Sequence, residues 1–205
     1  MKYFIFDLDG TVVDTEKALI HTWQDAFKEY GQDYSWSEVQ GVMGLTADKI
    51  IENLGAEVPE DFMDHWLEVY GKHAEEVTFF PGVEEVLKKL KEKGYTMGAV
   101  SSRSYAEYEG FFKDFKLDQY FASIVLDEDT ENHKPDPDPI CKFMEVTGAT
   151  LEETIYIGDM PSDMEAAKNA GIYSGFVKWN GTGNTCEGAD YSFDKPEEIY
   201  QLIEE

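Results

Sequence analysis

The chain has 205 residues, of which 42% are hydrophobic, and its 17 lysines and arginines stand against 43 aspartates and glutamates. A formal net charge of −26 gives a surface that repels nucleic-acid phosphates and anionic lipid head groups, while the apolar content suffices for a buried core. The two cysteines, Cys141 and Cys186, are too few for a disulfide scaffold or a four-cysteine zinc site.

Short apolar runs alternate with amphipathic helical patterns over most of the chain. The apolar runs cover residues 3–7, 95–100, 121–126, 154–158 and 173–177. A helical pattern separates several of them, as at residues 83–93, which a proline precedes and Gly94 follows. This alternation predicts an α/β fold with a Rossmann-like parallel sheet of about five strands, covered by helices on both faces.

The interval from residue 15 to residue 80 departs from this alternation because it shows helical patterns only. Its aromatic residues, among them Trp23 and Trp66, recur at helical spacing, which is typical of core packing rather than of a cofactor site. We therefore predict a helical domain at 15–80, inserted into an α/β core domain made of residues 1–14 and 81–205.

The first strand runs into Asp7-Leu8-Asp9-Gly10-Thr11, the most informative motif of the chain. Asp7 and Asp9 are two residues apart, so an extended chain points both side chains the same way, at the sheet edge where open α/β folds bind ligands. Two carboxylates in one cleft favour a cation or a proton between them. Gly10 allows a sharp bend that brings backbone N–H groups towards an anion. The alternative interpretation is an acidic turn after a strand.

Two further segments follow strands in the same manner. Ser101, Ser102 and Arg103 come after the run at 95–100, where hydroxyl and N–H groups suit a phosphate oxygen, although a serine there is also a common helix cap. Lys134 follows the next strand, in a turn that neighbouring prolines stiffen. A lysine fixed in this way predicts a cation held in an acidic neighbourhood.

Asp159 and Asp163 follow the run at 154–158, the second of them in the first turn of a predicted helix. A carboxylate in that position also complements the helix dipole. Oxygen ligands without a histidine and cysteine cluster favour Mg²⁺ over zinc. The histidines lack metal-ligand spacing and are interpreted as ordinary surface or core residues: His21, His65, His73 and His133.

Taken in this order, the four segments resemble the four motifs of the haloacid dehalogenase superfamily. The helical insert lies where this superfamily carries its helical cap domain, so the resemblance covers nearly the whole chain. Phe80-Pro81-Gly82-Val83 and Gly175-Phe176-Val177-Lys178-Trp179 resemble its phosphoglycolate phosphatase-like branch. The resemblance implies a Mg²⁺-dependent phosphatase that hydrolyses a small phosphorylated metabolite through an aspartyl-phosphate, with the insert acting as a lid.

The resemblance also implies catalytic roles for four residues. Asp7 would be the nucleophile that attacks phosphorus, and Asp9 the general acid/base that protonates the leaving oxygen and then activates water. Lys134 and Ser101 would hold the phosphoryl oxygens.

Metal and substrate contacts follow from the same resemblance. Mg²⁺ would be held by Asp7, by the backbone carbonyl of Asp9 and by Asp159, with Asp163 in a supporting position. The residues expected to contact substrate are Gly10, Ser102, Arg103 and, in a predicted loop of the insert at 41–46, Gly44.

Two alternative functions stay open. A sugar phosphomutase resembling β-phosphoglucomutase would carry a histidine ten residues after the acid/base aspartate, where this chain has Leu19, with His21 two residues further on. It would also carry a basic residue three positions after the loop glycine, where this chain has Ala47. The second alternative is a non-catalytic regulatory protein that binds a phosphorylated metabolite, which the presence of both Asp7 and Asp9 disfavours.

The expected partner is a small phosphorylated metabolite, with neither nucleic acid nor membrane, and the expected state is a monomer or homodimer. We expect a cytoplasmic location, because the sequence has no run of about 18 apolar residues and reaches Asp7 too early for a signal peptide.

Overall fold

A computed structural model describes residues 1–43, 45 and 47–203 of the chain. The chain divides into two compact units, of which the first combines Met1–Asp14 with Phe79–Glu205 and the second is Thr15–Thr78. Both cysteines are free. Within the part of the chain that is described, every helix is too short or too polar to cross a membrane.

Strands and helices alternate along the first unit, as the apolar runs predict. In chain order the strands are β1 (Tyr3–Phe6), β2 (Val13–Asp14), β3 (Thr78–Phe79), β4 (Thr96–Val100), β5 (Ser123–Val125), β6 (Thr154–Gly158), β7 (Tyr173–Val177) and β8 (Tyr191–Phe193). The helices are α1 (Glu16–Glu29), α2 (Trp36–Gln40), α3 (Ala47–Leu54), α4 (Phe62–Lys72), α5 (Val83–Glu92), α6 (Tyr105–Phe111), α7 (Asp138–Thr147) and α8 (Pro161–Ala170).

Six strands form one parallel sheet in the order β5-β4-β1-β6-β7-β8, and β2 pairs with β3 separately. The predicted α/β class with a Rossmann-like parallel sheet is confirmed. The prediction gave about five strands, and the sixth strand of the sheet, β8, is not among the predicted apolar runs. Only three residues form this strand and Ser192, at its centre, is exposed, so it has no apolar run to reveal it.

The central strand β1 sets the position of the residues that follow it. Phe6 lies in register with Ala99 of β4 on one side and with Ile157 of β6 on the other. The chain segments after β1, β4 and β6 therefore leave the sheet at one edge. Helix α7 packs closely against strand β4, since a Cβ atom at Gly98 of β4 would collide with the ring of Phe143 of α7.

The second unit is built from α1 to α4 around an aromatic core. Trp23 and Phe27 of α1 meet Phe62 and Trp66 of α4, with ring centroids 5.3 Å apart for the two tryptophans and 5.2 Å apart for the two phenylalanines. All four side chains are buried. Burial of aromatic faces between α1 and α4 therefore holds these helices together.

Candidate active site

Three aspartates lie together at the carboxyl edge of the sheet. Asp7 follows β1, Asp159 follows β6, and Asp163 belongs to the first turn of α8. A carboxylate oxygen of each lies within 4.8 Å of the others, and their exposed fractions are 6%, 5% and 0%. Burial of three carboxylates in one place requires compensating positive charge.

Lys134 supplies one such charge. Its Nζ atom donates to Oδ1 of Asp7 and to Oδ1 of Asp163, both at 2.9 Å. The hydroxyl of Tyr156 lies 3.2 Å from the same Nζ and donates to the carbonyl of Val100. One ammonium group against three carboxylates leaves the cluster with excess negative charge.

Burial, together with this excess of negative charge, shifts the pKa values of the cluster. Burial, together with the charges of Asp163 and Asp159, raises the pKa of Asp7 well above its usual value, although Lys134 opposes the shift. Burial and the neighbouring Asp163 raise the pKa of Asp159 to about 7. Burial alone would lower the pKa of Lys134, but Asp163 and Asp7 outweigh it and raise that pKa.

The donor set fits a divalent cation of the Mg²⁺ type. Asp7, Asp159 and Asp163 offer carboxylate oxygens only, and raised pKa values at Asp7 and Asp159 mark a site that favours a proton or a cation. Asp7 and Asp159 are the residues that would hold the ion.

Gly10 allows the chain to pass close to Asp159. Its φ is +74°, and a Cβ atom there would lie 2.5 Å from Oδ2 of Asp159. Its N–H donates to the carbonyl of Val13 at 3.0 Å, so this amide closes the turn. The close approach to Asp159 explains why a glycine stands here. The predicted contact of this segment with a substrate anion remains an expectation.

Asp9 makes a different set of contacts from Asp7. Its Oδ1 accepts from Nη2 of Arg103 at 2.8 Å and its Oδ2 from Nε at 3.1 Å. Nη1 of Arg103 donates to Glu107 at 3.0 Å, and the Arg103 amide donates to Oγ of Ser101 at 3.2 Å. Arg103, expected to contact substrate, is thus paired with two carboxylates.

The remaining expected residues differ in their surroundings. Ser101 is buried directly after β4, and its amide donates to the carbonyl of Val125 at 3.0 Å. Ser102 is exposed. Gly44 lies outside the described residues, so its predicted contact with substrate remains an expectation.

Two polar residues of this region, Asn180 and Tyr156, are not among the predicted site residues. Nδ2 of Asn180 donates to Oδ2 of Asp159 at 2.9 Å and to the carbonyl of Gly10 at 3.1 Å. Tyr156 contacts Lys134 and, at 3.3 Å, Oδ1 of Asp163. Two features of the sequence could have indicated these residues. Tyr156 is a tyrosine inside an apolar strand, two residues before its end, and Asn180 is an asparagine shortly after β7.

A family model described as haloacid dehalogenase-like hydrolase matches residues 4–177. The chain belongs to this family. Its resemblance to the superfamily, inferred from the four motifs, is thereby confirmed, as is its class as a hydrolase.

Curated relatives of this hydrolase carry phosphatase names. A pyrophosphatase PpaX from Bacillus mycoides (strain KBAB4) is 29% identical over 97% of this chain and 95% of the relative. A phosphoglycolate phosphatase from Aquifex aeolicus (strain VF5) is 27% identical over 100% of this chain and 97% of the relative. Both cover the α/β unit and the helical unit.

Solved structures share the complete fold of this hydrolase. The crystal structure of a "putative beta-phosphoglucomutase" from Thermotoga maritima superposes with a TM-score of 0.84 at 27% identity, over 98% of each chain. The family and the fold thus include proteins named as phosphatases and one named as a mutase.

Proposed function

We propose that this hydrolase is a Mg²⁺-dependent phosphatase that acts on a small phosphorylated metabolite through a phosphorylated Asp7. The observation that carries the proposal is the position of Asp7, a buried carboxylate 2.9 Å from Lys134 within a cluster of three aspartates. A carboxylate held by a fixed ammonium at the ligand-binding edge of a parallel sheet is suited to attack an electrophilic phosphorus.

The first half of the proposed reaction transfers the phosphoryl group to the enzyme. A carboxylate oxygen of Asp7 forms a bond to phosphorus as the bond between phosphorus and the leaving oxygen breaks. Asp9 gives a proton to that oxygen, so an alcohol departs.

The second half returns the enzyme to its starting state. Asp9 takes a proton from a water molecule, whose oxygen attacks the phosphorus of the phosphorylated Asp7. The bond from phosphorus to Asp7 breaks, which releases inorganic phosphate and regenerates the free carboxylate. The same side chain therefore serves as acid and then as base.

Positioning and charge neutralisation supply most of the catalysis in phosphoryl transfer. Lys134 is suited to stabilise phosphoryl oxygens because its ammonium is rigidly held between Asp7 and Asp163. Ser101, buried beside this edge, offers a hydroxyl. Bound at Asp7, Asp159 and the carbonyl of Asp9, Mg²⁺ would reduce the repulsion between the anionic nucleophile and the phosphate.

The names of the relatives support two substrate classes, an organic phosphomonoester such as phosphoglycolate and inorganic pyrophosphate. A sugar phosphomutase is the second candidate, supported by the structural neighbour named for that activity. Leu19 and Ala47 stand where the mutase resemblance calls for a histidine and a basic residue, which favours the phosphatase.

The proposal is tested with the purified chain, an aryl phosphate and Mg²⁺. Wild-type protein should release phosphate, and Asp7→Asn should lower kcat by at least about 10³-fold because the amide is not a nucleophile. Asp114→Asn, which changes an exposed acid in the same unit, is the matched control. Equal rates for wild type and Asp7→Asn would refute the assignment, and phosphate binding without turnover would indicate a regulatory protein.

A panel of phosphorylated metabolites ranked by kcat/KM separates the substrate classes. It should include phosphoglycolate, pyrophosphate and a sugar 1-phosphate. Release of inorganic phosphate supports the phosphatase, whereas conversion of a sugar 1-phosphate into its isomer without phosphate release supports the mutase.

A further inference from the structure

The helical unit contains a group of metal-binding side chains that the proposed reaction does not use. His21 belongs to α1, His73 follows the last residue of α4, and Glu76 ends the short 3₁₀ turn that comes next. One ligand atom from each residue lies within 4.8 Å of the other two. We propose that these three side chains form a binding site for a divalent transition metal ion, with Zn²⁺ the best fit.

The distances within the group suit one small ion. Nδ1 of His21 lies 2.8 Å from Oε2 of Glu76, and Nδ1 of His73 lies 3.3 Å from Oε1 of the same carboxylate. Tetrahedral ligands at the usual zinc distances of about 2.0–2.1 Å are about 3.3 Å apart. Two imidazoles and one carboxylate are a ligand set that zinc uses, with water as the fourth ligand.

Asp25 fixes the ring orientation of His73 and favours the tautomer with the hydrogen on Nε2. Nε2 of His73 faces Oδ2 of Asp25 at 3.0 Å, and this carboxylate accepts the Nε2–H. A neutral His73 in that tautomer directs the lone pair of Nδ1 towards Glu76, so either a second proton or a cation must lie between them. Zinc-binding histidines commonly donate their other ring N–H to a carboxylate in this manner.

The backbone around the group is held in place by the fold. The amide of Glu76 donates to the carbonyl of His73 at 2.9 Å, and the amide of His73 donates to that of Tyr70 at 2.9 Å. The aromatic core between α1 and α4 fixes His21 relative to this turn. Lys17, 3.5 Å from Oε2 of Glu76, has a largely exposed side chain that can move aside when an ion binds.

An ion can reach the group from solvent. The exposed fractions of the three side chains are 32% for His21, 15% for His73 and 24% for Glu76. Partial exposure of this kind leaves room for a water ligand. His21 and His73 are 52 positions apart in the sequence, which explains why ligand spacing along the chain did not reveal them.

Competition with a chromophoric chelator at pH 7.5 measures the affinity for Zn²⁺. Excess Mg²⁺ occupies the oxygen ligands of the α/β unit during the measurement. Wild-type protein should bind one equivalent of Zn²⁺, and His73→Gln should weaken this binding by about 100-fold. Asp25→Asn should weaken it by about 10-fold, because the orientation of His73 is lost.

His65→Gln is the matched control, since it changes another histidine of the helical unit, within α4, and should leave the Zn²⁺ affinity unchanged. Hydrolysis of aryl phosphate in Mg²⁺ reports on the other unit and should be retained in every variant. Failure of that activity in wild type would count against the proposed function and leave the Zn²⁺ result unaffected.

Bound Co²⁺ gives a second readout, because four-coordinate Co²⁺ with nitrogen ligands absorbs visible light far more strongly than Co²⁺ in an octahedral oxygen site. Wild type should show these bands, and the double variant His21→Gln/His73→Gln should lose them. Absence of Zn²⁺ binding in wild type, or an equal affinity and spectrum in the double variant, would overturn the proposal and leave the group as a set of ion pairs.

Discussion

Arg103 donates two hydrogen bonds to Asp9, one to each carboxylate oxygen, at 2.8 Å and 3.1 Å. Arg103 is the only arginine in the sequence, and its guanidinium also contacts Glu107. Bidentate pairing fixes the plane of a carboxylate as well as its position. Arg103 therefore orients the side chain that the proposed reaction uses as acid and base.

Replacement of Arg103 by lysine should lower kcat and leave KM nearly unchanged. A lysine ammonium keeps the charge but cannot hold both carboxylate oxygens in one plane, so Asp9 loses its orientation. We expect kcat to fall by about 10- to 100-fold in the aryl phosphate assay. Glu107→Gln, which leaves the pair with Asp9 in place, is the control. A raised KM with unchanged kcat would instead assign Arg103 to substrate binding, as the sequence alone suggested.

Replacement of Lys134 by methionine should destabilise the metal-free protein. The buried carboxylates of Asp7 and Asp163 lose their ammonium partner, and breaking a buried ion pair in this way costs about 3–5 kcal/mol. Urea unfolding in a chelator measures the loss, and added Mg²⁺ should restore part of it. Lys168→Met, at an exposed position of α8, should change stability by less than about 0.5 kcal/mol. Equal stability of the two variants would contradict the prediction.

The strand ends could be predicted from the sequence because their signals are local. Each apolar run ends at a polar residue or directly before one, and parallel strands present their carboxyl ends at one edge. The sequence therefore predicts a common edge for Asp7, Ser101 and Asp159. The short strand β8 was not predicted, because three residues are too few to show a periodic pattern of apolar side chains.

Pairings between distant side chains could not be predicted in this way. Asp9 and Arg103 are 94 positions apart, and Asn180 and Asp159 are 21 apart. A periodic pattern in the sequence reports only on neighbours within one helix or strand. Contacts between two loops depend on where the folded sheet places those loops. The proline-rich turn and the predicted helix start pointed to Lys134 and Asp163, and the resemblance to the haloacid dehalogenase motifs implied their roles. Neither gave a reason to select Tyr156.

Replacement of Asn180 by alanine should weaken Mg²⁺ binding. Its side-chain amide holds one carboxylate oxygen of Asp159, the residue proposed to bind the ion, and loss of such a supporting hydrogen bond typically costs 10- to 100-fold in metal affinity. The Mg²⁺ concentration that gives half-maximal activity should rise by roughly this factor. Asn53→Ala, at an exposed position in α3, serves as control. An unchanged Mg²⁺ requirement would show that Asp159 keeps its position without Asn180.

The raised pKa of Asp159 makes the metal-free protein sensitive to pH. Burial and the neighbouring Asp163 raise this pKa to about 7 from an ordinary value of 3.8. Between these two pH values the folded state keeps a proton at Asp159 that the unfolded chain has lost. Its contribution to stability is therefore complete below about pH 4 and is lost as pH rises to about 7.

Removal of the metal should thus reveal a loss of stability with rising pH, to which Asp7 also contributes and which Asp159→Asn reduces. Each pH unit in this window changes the free energy of unfolding by at most about 1.4 kcal/mol per proton. The free energy of unfolding of both proteins is measured with urea, in chelator and at several pH values. The difference between wild type and Asp159→Asn gives the contribution of Asp159 to the pH dependence. Saturating Mg²⁺ should reduce the difference in slope between about pH 4 and pH 7, because the ion competes with the proton for Asp159. Parallel profiles for the two proteins in chelator would refute the assigned titration.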